Sequence, residues 1–116
     1  MYVKTRLIIL HIDFQAGTHR CLLDGGSLPI MGVSDSHPLE CGPLLLKKYL
    51  EIEPEWVAFT LVNVENDKDT LFIYYTCMIP NVINNIKGEW IEIGRIEDGT
   101  IQRLVFEAGQ KTLSKL

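Results

Sequence analysis

Apolar residues cluster in the first third of the chain with the spacing of β-strands. Residues 3–14 are rich in isoleucine and leucine, and both alternating faces are apolar in the middle. This pattern predicts a long strand that is buried on both sides. Residues 19–23 and 27–31 predict two shorter strands, separated by a turn at residues 24–26.

A second group of strands is predicted further along the chain. Residues 55–65 and 70–80 are runs of β-branched and aromatic side chains joined by a short polar segment, which predicts a hairpin. At least one of the two is predicted to be a central strand, because apolar residues also occupy the intervening positions. Residues 89–93, around Trp90, predict one more short strand.

Two segments have the apolar periodicity of helices. Pro43 follows Gly42 and predicts a helix start after a loop over residues 32–42, and Pro54 is expected to stop this helix. The apolar stripe of the helix is formed by Leu45, Leu46, Tyr49, Leu50 and Ile52. A second amphipathic helix, packed on the sheet, is predicted from the apolar residues Ile101, Leu104, Val105 and Ala108.

The predicted order is three strands, a loop and a helix, then three strands and a final helix. Hairpins with one inserted and one appended helix predict an α+β fold, in which a mixed β-sheet is sandwiched between helices. The chain has 116 residues and is expected to form a single domain, residues 1–116, because this length suits one hydrophobic core.

Composition and charge narrow the classes of function. The chain is 47% apolar and carries a net charge of −4, which argues against disorder and against nucleic-acid binding through bulk charge. The apolar run near the N-terminus is only about six residues long, so no signal peptide or membrane span is expected. Cys21, Cys41 and Cys77 form no C-x-x-C pair and are expected to be buried free thiols of a cytoplasmic protein.

The segment of residues 27–56 is a loop and a helix set between strands. It contains a strand ending at Leu28 and Pro29 and a glycine-containing loop from Gly32, and the strand pair WVAFTLVNVE and LFIYYTCMI follows. The segment GEWIEIGRI then precedes the last helix. Over nearly the whole chain, this pattern resembles a Nudix hydrolase domain.

The resemblance implies the Nudix fold and a loop-helix box with the pattern G-x5-E-x7-R-E-U-x-E-E-x-G-U, in which U is apolar. In that family the box glutamates hold magnesium against the diphosphate of the substrate, and a water molecule attacks phosphorus. Magnesium prefers such hard oxygen ligands, and it neutralises phosphate charge while it activates the water.

The box residues are mostly replaced in this chain. If Gly32 is the first glycine of the box, only Gly32 and Glu51 agree with the pattern. A register two residues later places Glu40 at the first glutamate and Glu53 at the last one, with Lys48 in place of the arginine.

In that later register Tyr49 and Ile52 replace two further glutamates. No register restores three carboxylates on one helix face. Lys47 and Lys48 also add positive charge where a cation should bind, which opposes magnesium electrostatically. The sequence therefore predicts a Nudix-like frame with a degenerate metal-binding box.

Two sets of candidate site residues follow from the resemblance. The candidate metal ligands are Glu40, Glu51 and Glu53, and magnesium or manganese is expected only if the protein is catalytic. Glu51 and Glu53 are then also the candidate catalytic carboxylates. The candidate residues for direct contact with an anionic ligand are Gly32, His37, Lys47 and Lys48. For both sets the alternative is an ordinary solvated helix face or loop.

Three functions stay open. The first is a non-catalytic Nudix-like module that binds a nucleotide-type or phosphate-containing ligand, or a protein partner. The second is a divergent magnesium-dependent pyrophosphohydrolase that acts on nucleoside-diphosphate derivatives. The third is a structural or assembly protein, in which a sheet edge or the hairpin at Tyr74 and Tyr75 forms a homodimer. No membrane partner is expected, and resemblance in fold alone does not choose among these functions.

Overall fold

The longest strand, β1 (Tyr2–Asp13), lies at the centre of a mixed β-sheet. The structure is a computed structural model and describes residues 2–13, 15–33, 38–79 and 84–114. The other strands are β2 (Thr18–Leu23), β3 (Ile30–Gly32), β4 (Thr60–Asp67), β5 (Thr70–Ile79) and β6 (Glu89–Glu92). The helices are α1 (Pro38–Tyr49) and α2 (Gly99–Ser114), with short 3₁₀ turns at Pro54–Trp56 and Ile93–Arg95.

The strand order explains why β1 is apolar on both faces. Across the sheet the order is β4-β5-β1-β2-β6, and β3 pairs with the first part of β1. β1 runs parallel to β5 and antiparallel to β2 and β3. A central strand of this kind is covered on both sides, so alternating and intervening positions must both be apolar. The prediction that the hairpin supplies a central strand is confirmed, because β5 lies between β4 and β1.

Each face of the sheet packs against one helix. Ile8 and Leu10 point to the α2 face of the sheet, whereas Leu7 and Ile9 point to the α1 face. The side chains of α2 in the first core are Ile101, Leu104, Val105 and Ala108. The side chains of α1 in the second core are Leu45, Leu46 and Tyr49, and Leu50 follows directly after the helix.

Full burial of one such aliphatic side chain contributes about 1.5–3 kcal/mol. Because alternate side chains of β1 belong to different cores, this one strand contributes buried apolar surface to the packing of both helices. The predicted α+β fold, a mixed sheet sandwiched between helices, is confirmed.

Helix α1 begins at Pro38 and not after Gly42. The loop predicted over residues 32–42 is therefore wrong for its second part. Pro38 takes the first helical position. The backbone N–H at that position makes no hydrogen bond within a helix, so a proline there costs the helix nothing. Pro43 lies inside the helix and removes one helical hydrogen bond. The buried apolar stripe that follows Pro43 offsets this loss.

Two boundaries around the hairpin also differ from prediction. Strand β4 begins at Thr60 and not at residue 55, because Pro54 starts a 3₁₀ turn in which the Val57 N–H donates to the Pro54 carbonyl at 3.1 Å. The hairpin turn is shorter than predicted, since strand pairing continues up to both sides of Lys68 and Asp69. Lys68 reaches this tight turn with a φ of 57°.

The structure also bears on the predicted state of the cysteines and on membrane-spanning helices. Cys21, Cys41 and Cys77 are buried and free, as predicted. Within the described ranges, no helix is long and apolar enough to cross a membrane.

Candidate functional site

The structure spreads the predicted box residues over the surface around α1. Gly32 ends β3, and Glu40 is exposed in the first turn of α1. The exposed residues at and beyond the other end of the helix are Lys47, Lys48, Glu51 and Glu53. His37 lies outside the described residues. Among the residues that are described, no group of three or more His, Cys, Asp or Glu side chains could hold a metal ion.

Tyr49 occupies one of the replaced glutamate positions, and its side chain belongs to the protein interior. It is 4% exposed and lies in the α1-face core. Its hydroxyl donates a hydrogen bond of 2.7 Å to Oδ2 of Asp24, in the turn after β2. The Lys87 ammonium lies 3.2 Å from the same carboxylate oxygen and 5.6 Å from the Tyr49 ring centroid. Ile52, at the second replaced position, packs against the same core.

These contacts shift the pKa values of both acids. The hydrogen bond from Tyr49, followed by the interaction with Lys87, lowers the pKa of Asp24 below its ordinary value of 3.8. Burial, with the Asp24 carboxylate second, raises the pKa of Tyr49 to about 12. The backbone N–H of Ile86 also donates to the Tyr49 carbonyl at 2.7 Å. Tyr49 therefore clamps the end of α1 to two other segments.

A group of side chains that the sequence reasoning missed lies on the α2 face of the sheet, near β3. Arg6 donates a hydrogen bond of 3.0 Å to the Tyr74 hydroxyl, which donates one of 3.0 Å to Oε2 of Glu65. The guanidinium carbon of Arg6 is 4.4 Å from the Phe72 ring centroid, a cation–π distance. Burial raises the pKa of Tyr74, and the charge of Arg6 acts in the opposite direction.

Strand pairing places this group beside Gly32, one of the predicted ligand-contact residues. Lys4 pairs with Gly32 and Arg6 pairs with Ile30 in the β1–β3 register. Lys4 is exposed and Arg6 is half-buried. A guanidinium carries five donors, so Arg6 keeps donors for an anion after it has bound Tyr74. Two cations thus flank the end of β3, whereas the cations predicted from the sequence, Lys47 and Lys48, lie on the helix that follows.

A signal for this group was present but incomplete. Lys4, Thr5 and Arg6 are three consecutive polar residues near the start of β1, which indicates one polar stretch on an otherwise apolar strand. Their aromatic neighbours on β5 follow from the parallel β1–β5 register, and sequence periodicity does not specify that register.

A cavity of about 760 Å³ lies elsewhere, between the turn after β2, the start of β6 and the start of α2. Its charged lining residues are Asp24, Glu89, Arg95, Glu97 and Asp98. Acidic groups outnumber basic ones, so this cavity suits an anionic ligand poorly. None of the described residues from the predicted site lines it.

The sequence matches no protein-family model and no curated protein. Solved structures match it in fold. The Ap4A hydrolase of C. elegans matches with a TM-score of 0.71 and 14% identity, over 97% of this chain and 98% of its own. The NUDIX domain of Shewanella oneidensis NrtR, complexed with ADP ribose, matches with a TM-score of 0.64 and 12% identity, over 95% of this chain and 87% of its own.

A third match is the C-terminal domain of mouse MUTYH, in complex with human PCNA. Its TM-score is 0.69 with 10% identity, over 100% of this chain and 92% of its own. Such low identities show the fold alone. The resemblance found in the sequence is thereby confirmed at the level of architecture: this chain has the Nudix fold.

Proposed function

We propose that this protein is a Nudix-fold module that binds a nucleotide-type ligand through its phosphate groups and does not hydrolyse it. The observation that carries the proposal is the position of Tyr49. In the register that places Glu40 and Glu53 in the box, the pattern requires a glutamate at position 49, and the buried tyrosine found there is hydrogen-bonded to Asp24. A side chain committed to this clamp does not supply a metal ligand.

The charges at the end of β3 support the ligand class. Lys4 and Arg6 lie beside Gly32 and Ile30 on neighbouring strands, and a phosphate group is recognised well by guanidinium and ammonium donors. The Phe72 ring packs against the Arg6 guanidinium in a cation–π contact. Phosphate charge can therefore be neutralised by side chains alone. The predicted contacts from Gly32 and His37 remain part of this proposal.

Two similar structures make nucleotide ligands reasonable probes. The NUDIX domain of NrtR is complexed with ADP ribose, and the C. elegans protein is an Ap4A hydrolase. Both ligands carry at least two linked phosphates. We therefore choose ADP-ribose and Ap4A as probes for this chain.

The test is isothermal titration calorimetry with each probe in the presence of EDTA. We expect binding to persist without metal and to weaken roughly tenfold in Arg6→Gln, because a charge-assisted hydrogen bond is lost. Arg103→Gln removes the same charge from an exposed position on α2 and is expected to bind like the unmodified protein. The double variant Lys47→Ala/Lys48→Ala measures in the same way what those two predicted residues add.

The same samples decide the hydrolase alternative. Each probe is incubated with magnesium or manganese at high protein concentration, and released phosphate and nucleoside monophosphate are measured. Metal-dependent turnover that is lost in Glu51→Gln or Glu53→Gln would overturn the non-catalytic proposal. If neither probe binds, the nucleotide-binding proposal is contradicted and a protein partner becomes the favoured ligand.

A protein partner is the second candidate, and the free edge of the sheet favours it. Among the described strands, β4 has a neighbour on one side only, and its Leu61 and Val64 side chains are about half exposed. Such an edge can pair with another strand, from a partner or from a second copy. The MUTYH domain, with its bound PCNA, has the same fold.

The buried free thiols suit a reducing compartment such as the cytoplasm.

A further inference from the structure

Strand β4 lies at one edge of the sheet, and α2 contacts its backbone at one point. The Lys111 ammonium of α2 donates a hydrogen bond of 3.1 Å to the Val62 carbonyl, at the β-bulge between Leu61 and Asn63. From there to the hairpin turn, no described strand lies beside residues 63–67 on the side away from β5. In an antiparallel pair, every second residue points its backbone N–H and C=O groups away from the neighbouring strand. This part of the edge can therefore pair with a further strand.

One face of this open edge is apolar. Leu61 pairs with Tyr75 and Val64 pairs with Ile73, and residues opposite each other in a sheet point to the same face. Tyr75 packs against the α1-face core, and Ile73 is two residues away from it on β5, so all four side chains point to the α1 face. Because Leu61 and Val64 are about half exposed, they offer apolar surface that a further strand would bury.

The opposite face of the same edge is acidic. Glu65 pairs with Phe72 and Asp67 pairs with Thr70. Phe72 packs against the α2-face core, so both carboxylates point to the α2 face, and both residues are exposed. The Tyr74 hydroxyl donates to one oxygen of the Glu65 carboxylate at 3.0 Å, which holds this acid in place at the edge.

The charges distinguish between possible partner strands. Residues 63–69 carry three carboxylates and one ammonium, which leaves a net charge of −2. If two copies of β4 paired antiparallel in one continuous sheet, like faces would meet, and Glu65 and Asp67 of one copy would lie near those of the other. Like charges on neighbouring strands destabilise their pairing. The edge thus disfavours a second copy of this chain and favours a strand with basic side chains.

We propose that the β4 edge over residues 63–67 binds an extended segment of a partner protein in which basic and apolar residues alternate. Successive side chains of such a segment point to opposite faces. Its apolar residues therefore cover Leu61 and Val64, while its lysine or arginine residues meet Glu65 and Asp67. Backbone hydrogen bonds supply affinity, and the two faces supply specificity. The proposal rests on the second candidate function, a protein partner at this edge, and does not depend on a ligand at the end of β3.

The test is a titration of ¹⁵N-labelled protein with the capped peptide KVKVKVK, followed through the backbone amide signals. We expect saturable shifts in β4. Two further peptides serve as controls, because SVSVSVS keeps the alternation without the charge and KKVVVKK keeps the composition without the alternation. Each is expected to bind about tenfold more weakly, since it loses the cross-strand pairs on one or both faces.

Variants of the protein test the two faces separately. Asp67→Lys is expected to weaken binding of KVKVKVK about fivefold, because an attractive cross-strand pair becomes a repulsive one. Glu97→Lys is the matched control, since it makes the same change of charge at an exposed position beyond β6, the strand at the other end of the sheet order. It is expected to bind like the unmodified protein. Val64→Thr keeps a β-branched side chain and is expected to weaken binding about threefold, because apolar contact is lost. This variant replaces Asp67→Lys if the latter does not fold.

Each outcome supports or contradicts the proposal. Saturable shifts in β4 that require both charge and alternation support it. Equal binding of SVSVSVS overturns the preference for basic residues, although a protein partner at this edge stays a candidate. Equal binding of KKVVVKK, or shifts outside β4 alone, means that charge attracts the peptide without strand pairing and overturns the proposal. If no peptide gives saturable shifts, the second candidate function is contradicted as well. Nucleotide binding is tested separately by the calorimetry and is not affected by that result.

Discussion

At the scale of single residues, the Tyr49 hydroxyl joins segments that are far apart in the sequence. It connects the last residue of α1 with Asp24, and Lys87 binds the same carboxylate from a third segment. The replacement of a box glutamate by Tyr49 was predictable, because position alone defines that comparison. The bond to Asp24 was not, because a contact between residues 25 positions apart depends on tertiary packing.

We predict that Tyr49→Phe lowers the free energy of unfolding by about 1 kcal/mol, since it removes one hydrogen bond and keeps the packed ring. Denaturation by urea at neutral pH measures this difference. Tyr2→Phe is the matched control, because Tyr2 is 72% exposed and its substitution is expected to change stability little. Equal stability of Tyr49→Phe and the unmodified protein would show that the clamp contributes nothing.

The same variant should change the dependence of stability on pH. The folded pKa of Asp24 is lowered, so its contribution is present above its ordinary pKa of 3.8 and is lost as pH falls through the folded value. The folded pKa of Tyr49 is raised from 10.0 to about 12, so its contribution is present below pH 10 and is lost as pH rises towards 12. Tyr49→Phe removes the alkaline loss and part of the acid loss, and the stability profile becomes flatter at both ends.

At the scale of elements, the packing of α1 explains where sequence patterns succeeded and failed. Its apolar stripe was predictable, because helical periodicity and burial coincide in Leu45, Leu46 and Tyr49. Its start was not, because the chain has two prolines that could occupy a first helical position, Pro38 and Pro43. A local rule cannot choose between them when tertiary packing stabilises the longer helix.

Gly42 gives a prediction about this helix. Glycine inside a helix normally costs about 0.5–1 kcal/mol relative to alanine. A methyl group at Gly42, however, would lie 2.9 Å from a ring carbon of Phe59. We expect Gly42→Ala to lower the free energy of unfolding by about 1 kcal/mol, because the cost of overpacking exceeds the gain in helix propensity.

Gly109 in α2 is the matched control for this change. A methyl group there would meet no neighbouring atom within 4 Å, so Gly109→Ala is expected to raise stability by about 0.5–1 kcal/mol. Opposite signs in the two variants, measured by urea denaturation, would confirm the close approach of α1 to Phe59. An increase in both would show that the ring moves aside without cost.

At the scale of the whole molecule, the layers were predictable and the pairing of strands was not. Apolar residues at alternating and intervening positions of β1 required cover on both faces, and two amphipathic helices were available to supply it. The parallel β1–β5 register joins residues more than 60 positions apart, and no local pattern encodes it. The group of Arg6, Phe72 and Tyr74 depends on that register, which explains why it was missed while the degenerate box was recognised.

The two cores share β1, and this predicts cooperative opening of the whole sandwich. Cys21 lies in the α2-face core and Cys77 in the α1-face core, so each reports on one layer. Burial raises the pKa of Cys21 to about 12 and also raises the pKa of Cys77, which keeps both thiols unreactive in the native state.

Two variants, each with one of these cysteines and the others changed to alanine, are labelled with a thiol reagent. We expect the same slow rate for both, because losing either helix would leave one face of β1 uncovered and unfold the sheet. A rate for Cys77 more than about tenfold above that for Cys21 would contradict this, since it would mean that α1 opens as a separate unit.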